Sequence, residues 1–208
     1  MRKLLFTVAM CGLISLFNGL KAQKRFGLSG GYDRTSLLGS SKANFINGFH
    51  IGATYDLKNF GEKWYMQTGL LFTNGGWSYD DHKVSVLGIV ETNIKDFTVK
   101  MYFIEMPFNM SFRLPVGEHK LLLNIGPYIR YGISGKAKYN NDESSQEYNA
   151  FDENANNRFE IGSNIGLGFA IKNKYLINAA YQIAGTQAEK AIVNTYSMRY
   201  RLGIGYLF

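Results

Sequence analysis

Ten ionisable side chains of this chain fall at alternate positions of otherwise apolar runs, where a charge is hardest to keep: Arg25, Asp33, His50, Asp56, Glu105, Arg113, Arg130, Glu160, Arg199 and Arg201. Five are arginines, four are carboxylates and none is a lysine. Charges taken into a low-dielectric interior must be paired, and the planar guanidinium fork matches a carboxylate with two parallel hydrogen bonds. The chemistry predicted first is therefore neutralisation, by a network of Arg25, Asp56, Glu105, Arg113, Arg130, Glu160, Arg199 and Arg201 that fills an interior. The sharper reading of the same residues is a constricted pore or a ligand pocket. Pairing also removes the large pKa perturbation that marks a catalytic group.

Other patterns could support different chemistry. Gly27-Leu28-Ser29-Gly30-Gly31 fits G-x-S-x-G, but that elbow requires a strand–turn–helix context, and here it falls within a strand. A first hairpin could set Ser29 opposite His50, and a serine beside a histidine is how a lipid hydrolase would begin. No orienting acid or oxyanion hole is evident to complete it. His50, His82 and His119 fall on a strand, a loop and a turn without common spacing, so no metal site is expected. Asn140-Asn141-Asp142-Glu143 lacks the EF-hand pattern and reads as solvated loop. No catalytic residue and no cofactor is predicted.

The elements that must position these residues are strands. Residues 102–114 read YFIEMPFNMSFRL, with apolar side chains at every even position and Glu105, Asn109, Ser111 and Arg113 between them. After Pro115-Val116-Gly117-Glu118, a turn by composition, residues 121–133 repeat the pattern, with Asn124, Gly126, Tyr128, Arg130, Gly132 and Ser134 on the polar face. Period-two alternation over 13 residues is a strand signal. A soluble strand averages about 5–6 residues, whereas a tilted strand crossing a bilayer needs about 9–11. Six further runs begin near Arg25, Phe49, Trp64, Phe159, Tyr175 and Tyr196, which makes eight. Their connections are expected to be long, short, long, short, long, short and medium. The long ones are a polar loop of about 13 residues after Asp33, residues 74–95, where the stretch from Val84 to Val90 is expected to form strand extensions or a β-loop above the membrane, and residues 138–158. This alternation fits the short periplasmic turns and long outer loops of outer-membrane barrels.

Both a membrane barrel and a soluble lipocalin-like carrier would alternate in this way. Strand length, loop alternation and the polar face decide for the membrane. That face is rich in Gly, Ser and Asn, as a narrow barrel interior requires, and lysine falls mainly in turns and loops. Tyr32, Trp64, Tyr102, Tyr131, Tyr175, Tyr196 and Phe208 at run ends suit interfacial girdles. Pro107 and Pro127 inside two runs are expected at bulges or near a membrane edge, because proline donates nothing to a ladder.

The first 22 residues have a basic start at Arg2 and Lys3, an apolar stretch and a small residue at Ala22, which predicts a cleaved secretory signal peptide ahead of a single domain over residues 23–208. Cys11, the only cysteine, would leave with it. Without Arg2, Lys3 and Lys21, 20 basic residues face 16 acidic ones, scattered rather than clustered, so a nucleic-acid partner is not expected. The predicted fold is all-β: a closed, antiparallel, eight-stranded up-and-down transmembrane barrel.

The central hairpin, YFIEMPFNMSFRL followed by HKLLLNIGPYIRYGISGK, resembles the PorT-like outer-membrane β-barrel family, with its aromatic-Ile-Glu-x-Pro and Gly-Pro-Tyr strands. The resemblance implies a barrel in the outer membrane, surrounded by its lipid. It also implies recognition of the terminal Tyr206 and Phe208 by the barrel-assembly machinery, and for some relatives a part in type IX secretion. A partner protein is expected at the outer loops.

Overall fold

The computed structural model describes residues 26–40, 42–80, 82–86, 90–140, 145–152, 156–188 and 194–208; side chains are described for these except residues 82–86, 90–96, 139 and 140. The predicted signal peptide, Cys11 and Arg25 lie outside the described residues. Ten strands run in chain order: β1 (Phe26–Leu38), β2 (Ala43–Phe60), β3 (Trp64–Tyr79), β4 (His82–Val86), β5 (Val90–Val116), β6 (His119–Asn140), β7 (Ser145–Asn149), β8 (Phe159–Ile171), β9 (Tyr175–Gln187) and β10 (Tyr196–Leu207). Eight of them, all but β4 and β7, close an antiparallel barrel through β1–β10 and β5–β6 pairing. β4 folds back on the start of β5, and β7 pairs the end of β6.

The barrel is inside out relative to a soluble fold. Ile51, Leu70, Ile125, Leu167, Ile177, Leu202 and Ile204 face outward, Ile204 at 69 % exposure, while Arg199 inside is 1 % exposed. Water would oppose that surface by roughly 25 cal/mol per Å² of apolar area, so hydrocarbon must cover it. The lipocalin-like alternative would show the reverse.

Turns of few residues close one end. Gly61 and Gly117 take positive φ there, and Lys172 and Asn173 do so together, with the Lys174 amide donating to the Ile171 carbonyl at 3.0 Å. Two successive positive φ values make the primed turn that follows strand twist. The first described residue and the last meet at this rim, where the Phe208 amide donates to the Phe26 carbonyl at 2.8 Å.

At the other end the strands run past the expected limits. The loop of about 13 residues after Asp33 is not there: β1 continues to Leu38 and β2 begins at Ala43. Residues 74–95 are mainly strand, as the Val84 and Val90 region suggested, and His82 begins β4 rather than lying in a loop. Residues 138–158 include β7. The reason is physical. Beyond the bilayer the outer face becomes polar, so the alternation that marks a membrane strand fades while the hydrogen-bonded ladder continues.

The prolines stand in regular register. Pro107 pairs Tyr128 and Pro127 pairs Ser163, and the β5–β6 register holds unchanged from Phe103/Gly132 to Val116/His119. No bulge forms at either. The ladder simply misses rungs beside them, between Thr68/Phe108 and Leu71/Glu105 and between Pro107/Tyr128 and Met110/Ile125. Loss of one donor removes a rung without needing an extra residue, and Thr68 Oγ1 donates to the spare Pro107 carbonyl at 2.8 Å. The β5–β6 register shifts higher up, between Lys95 and Thr98 and again where Tyr102 pairs Ser134 but Phe103 pairs Gly132. The second shift turns Ser134, expected inside, to the exterior and brings Gly135 to the inner face.

Candidate functional site

Every lumen charge predicted from the alternation, Arg25 apart, points inward and is buried, and the structure sorts these charges into three tiers. Nearest the short turns, Arg113 on β5 grips Asp56 on β2 in a bidentate pair, Nη1 to Oδ2 at 2.7 Å and Nη2 to Oδ1 at 2.6 Å. Gln67 donates to the same carboxylate at 3.1 Å, and the guanidinium lies 4.1 Å from the Tyr65 ring centre.

The middle tier joins β1, β2, β5, β9 and β10. Arg201 bridges two carboxylates: its Nη1 donates to Glu105 at 3.0 Å and its Nε to Asp33 at 3.2 Å. Arg199 donates to Glu105 at 3.1 Å, as does Gln182 at 2.9 Å. His50 Nδ1 completes the group against Asp33 at 2.7 Å. Glycines make room for the imidazole: a Cβ on Gly31 would stand 2.7 Å from His50 Cε1, and one on Gly203 would stand 2.9 Å from Nε2. In the upper tier Arg130 meets Glu160 at 2.5 Å and Ser197 at 2.8 Å, Tyr128 donates to Glu160 at 2.6 Å, and the Phe103 ring lies 4.2 Å from the guanidinium.

Four described arginines thus oppose four described carboxylates, with His50 beside Asp33. A cavity of about 80 Å³ remains between the lower and middle tiers, lined by His50, Asn109, Asn124, Asn178 and Gln182 among others. Buried polar atoms of these residues have no hydrogen-bond partner among the described residues, namely His50 Nε2 and the side-chain oxygens of Asn109, Asn124, Asn178 and Gln182. Such a space is roomy and polar enough for a few bound waters.

Above the charges the lumen is apolar, which the sequence reading missed. Leu37, Trp77, Val99, Met101, Phe103, Ala150, Phe151 and Ala188 form one buried cluster. Phe151 comes from the connection after β7, meets Phe103 edge-on with ring centres 6.1 Å apart, and occupies the space a side chain at Gly132 would fill. A signal was present: alternation continues backward from Phe103 through Met101, Val99 and Phe97, now with the apolar residues inside and Lys100 outside.

The serine–histidine idea does not assemble. β1–β2 register places Ser29 opposite Gly52 and His50 opposite Gly31. The acid that orients His50 does exist, as Asp33, but among the described residues no hydroxyl hydrogen-bonds Nε2. Among the described residues no group of three or more His, Cys, Asp or Glu side chains could hold a metal ion.

The family described as outer membrane protein beta-barrel domain matches residues 20–184. The chain belongs to that family. It is accordingly an outer-membrane β-barrel protein of the small-barrel kind. Neisserial surface protein A superposes with a TM-score of 0.51 at 13% identity, over 88% of this chain and 97% of its own. Ail, the attachment invasion locus protein of Yersinia pestis, gives 0.49 at 19%, over 90% and 100%. The outer membrane enzyme PagL gives 0.43 at 10%, over 86% and 97%, a likeness too low to speak to activity. Among curated proteins no significant sequence match is found.

Proposed function

We propose that this barrel is a non-enzymatic scaffold of the outer membrane that acts through the β-structure it raises above the bilayer. The observation that carries the reading is the filled lumen: among the described residues, three tiers of paired charge lie beneath the buried Trp77–Phe103–Phe151 cluster, which favours a scaffold over a channel. Loops and extensions on a rigid scaffold are where binding concentrates. Here the extension is the exposed hairpin of β6 and β7, with Lys136, Lys138, Glu147 and Tyr148 outward. A protein partner binds there; lipid surrounds the band; nucleic acid has no place in this reading. The PorT-like character of the central hairpin supports a secretion-associated setting for that partner. Tyr206 and Phe208, packed edge-on with ring centres 4.9 Å apart at the closing rim, suit an assembly signal that becomes part of the seam.

A photo-crosslinking residue placed at Tyr148 in living cells tests the scaffold reading. A discrete protein adduct, missing when the crosslinker is moved to the short-turn end at Glu62, supports it. Equal labelling at both positions, or none at Tyr148, overturns it. For the hydrolase alternative, Ser29→Ala would have to abolish a lipid-cleaving activity.

A further inference from the structure

We propose that a trough along β9 on the membrane face binds one phosphate-bearing lipid of the outer leaflet, its acyl chain in the trough and its phosphate on Arg34. The trough, a groove of about 550 Å³, follows from register. Ala179 faces outward between Leu167 on β8 and Leu202 on β10, its direct cross-strand partners, so a small floor lies between two tall walls. At the upper end Tyr181 and Tyr200 are also partners, with rings 5.1 Å apart.

Beyond Tyr200 the surface changes character. The Tyr200 ring stands 5.7 Å from that of Phe45, and the Arg34 guanidinium sits over Phe45 at 5.1 Å. Arg34 is the cross-strand partner of Tyr200 on β1 and is exposed. Among the described residues it pairs with no carboxylate. Short turns mark the periplasmic end of outer-membrane barrels, so Arg34 lies at the outer leaflet. An apolar trough bounded above by two tyrosine rings, with an exposed guanidinium beyond them, matches an acyl chain continued by a phosphate.

Charge complementarity selects the lipid over a second copy of the chain. A second barrel would have to bring a carboxylate to Arg34 at that depth. Of the exposed carboxylates of the described residues, Glu62 and Glu118 lie in the opposite turns, Glu147 and Asp152 on and after β7, and Asp80 past the end of β3, three residues beyond the Trp77–Phe45 pair.

Native mass spectrometry of the detergent-purified barrel, titrated with dipalmitoyl phosphatidic acid and with the matching diacylglycerol, tests this. One phosphatidic acid per barrel is expected, retained about tenfold better than diacylglycerol, equivalent to roughly 1.4 kcal/mol. Arg34→Gln should bring retention to the diacylglycerol level, and Ala179→Leu, which raises the floor, should remove both. Lys58→Gln, which alters a cation over Phe60 at the other rim, should change nothing. The heat-dependent gel shift of each variant checks that the barrel is folded. No retention, equal loss with Lys58→Gln, indifference to both Arg34→Gln and Ala179→Leu, or a lipid-free dimer through this face would each overturn the proposal.

Discussion

Glu105 shows what a single residue has to do in a lumen this narrow. It is fully buried and accepts from Arg199, Arg201 and Gln182, the arginines lying 94 and 96 residues away. Alternation made the inward direction of each such charge legible, because a period of two fixes the face once any neighbour is assigned. It could not reveal the partners, which depend on barrel stagger rather than on local pattern. The Asp56–Arg113 pair yields a clear expectation. Arg113→Ala leaves a buried carboxylate with only Gln67 and should cost about 3–5 kcal/mol, whereas replacing both partners by leucine should cost much less. Urea titration of the refolded barrel in micelles measures both, and equal losses would show that the pair's charges are not what matters. Gly132 gives a second test. Gly132→Val would push into Phe151 and, by overpacking, should destabilise by about 1–3 kcal/mol. The same titration reads it, with near-Trp77 fluorescence reporting displacement of the cap.

The strands themselves were readable where hydrocarbon meets them and unreadable above. In the band, outward leucines and isoleucines alternate with inward polar groups. In the extension the order inverts, with Val99 and Met101 inside and Lys100 and Lys136 outside. A reader expecting apolar-out sees loop where the ladder in fact continues. β7 belongs to this upper region, and its attachment carries a pH dependence. Glu147 lies between Lys136 at 2.6 Å and Lys138 at 3.0 Å. The hydrogen bond from Lys136, then that from Lys138, holds its carboxyl below the ordinary carboxylate value. A depressed carboxyl contributes stability that is present above its unfolded value and lost as pH falls through the folded one. Amides of β7 should therefore exchange faster with deuterium at pH 3 than at pH 7, relative to those of β8, after correction for intrinsic rates. The pair is exposed, so the change should be confined to β7. Glu147→Gln should give the acid behaviour at both pH values; unchanged protection across this range would show that the ion pairs do not hold the strand.

For the whole molecule, the decisive property is that two unlike seals lie in series. The charged tiers depend on complementary ionisation, while the cap depends on apolar packing of Trp77, Val99, Met101, Phe103 and Phe151. Weakening one leaves the other. The wild-type barrel should therefore show no steady conductance in planar bilayers. Arg130→Ala, which opens space in the upper tier, should remain insulating because the cap above it is intact. Phe151→Ala should remain insulating because Arg199 and Arg201 still span the lumen between Asp33 and Glu105. The combination of Arg130→Ala with Phe151→Ala empties the upper tier and the cap but leaves Arg199 and Arg201 across the lumen and Arg113 on Asp56, so it too should stay silent. The Arg130→Ala variant separates two whole-molecule designs. A narrow channel gated by its arginines would conduct before mutation and change its current on loss of Arg130. A closed scaffold would stay silent, since its interior serves to hold eight strands at fixed stagger and so to aim the extension beyond the membrane.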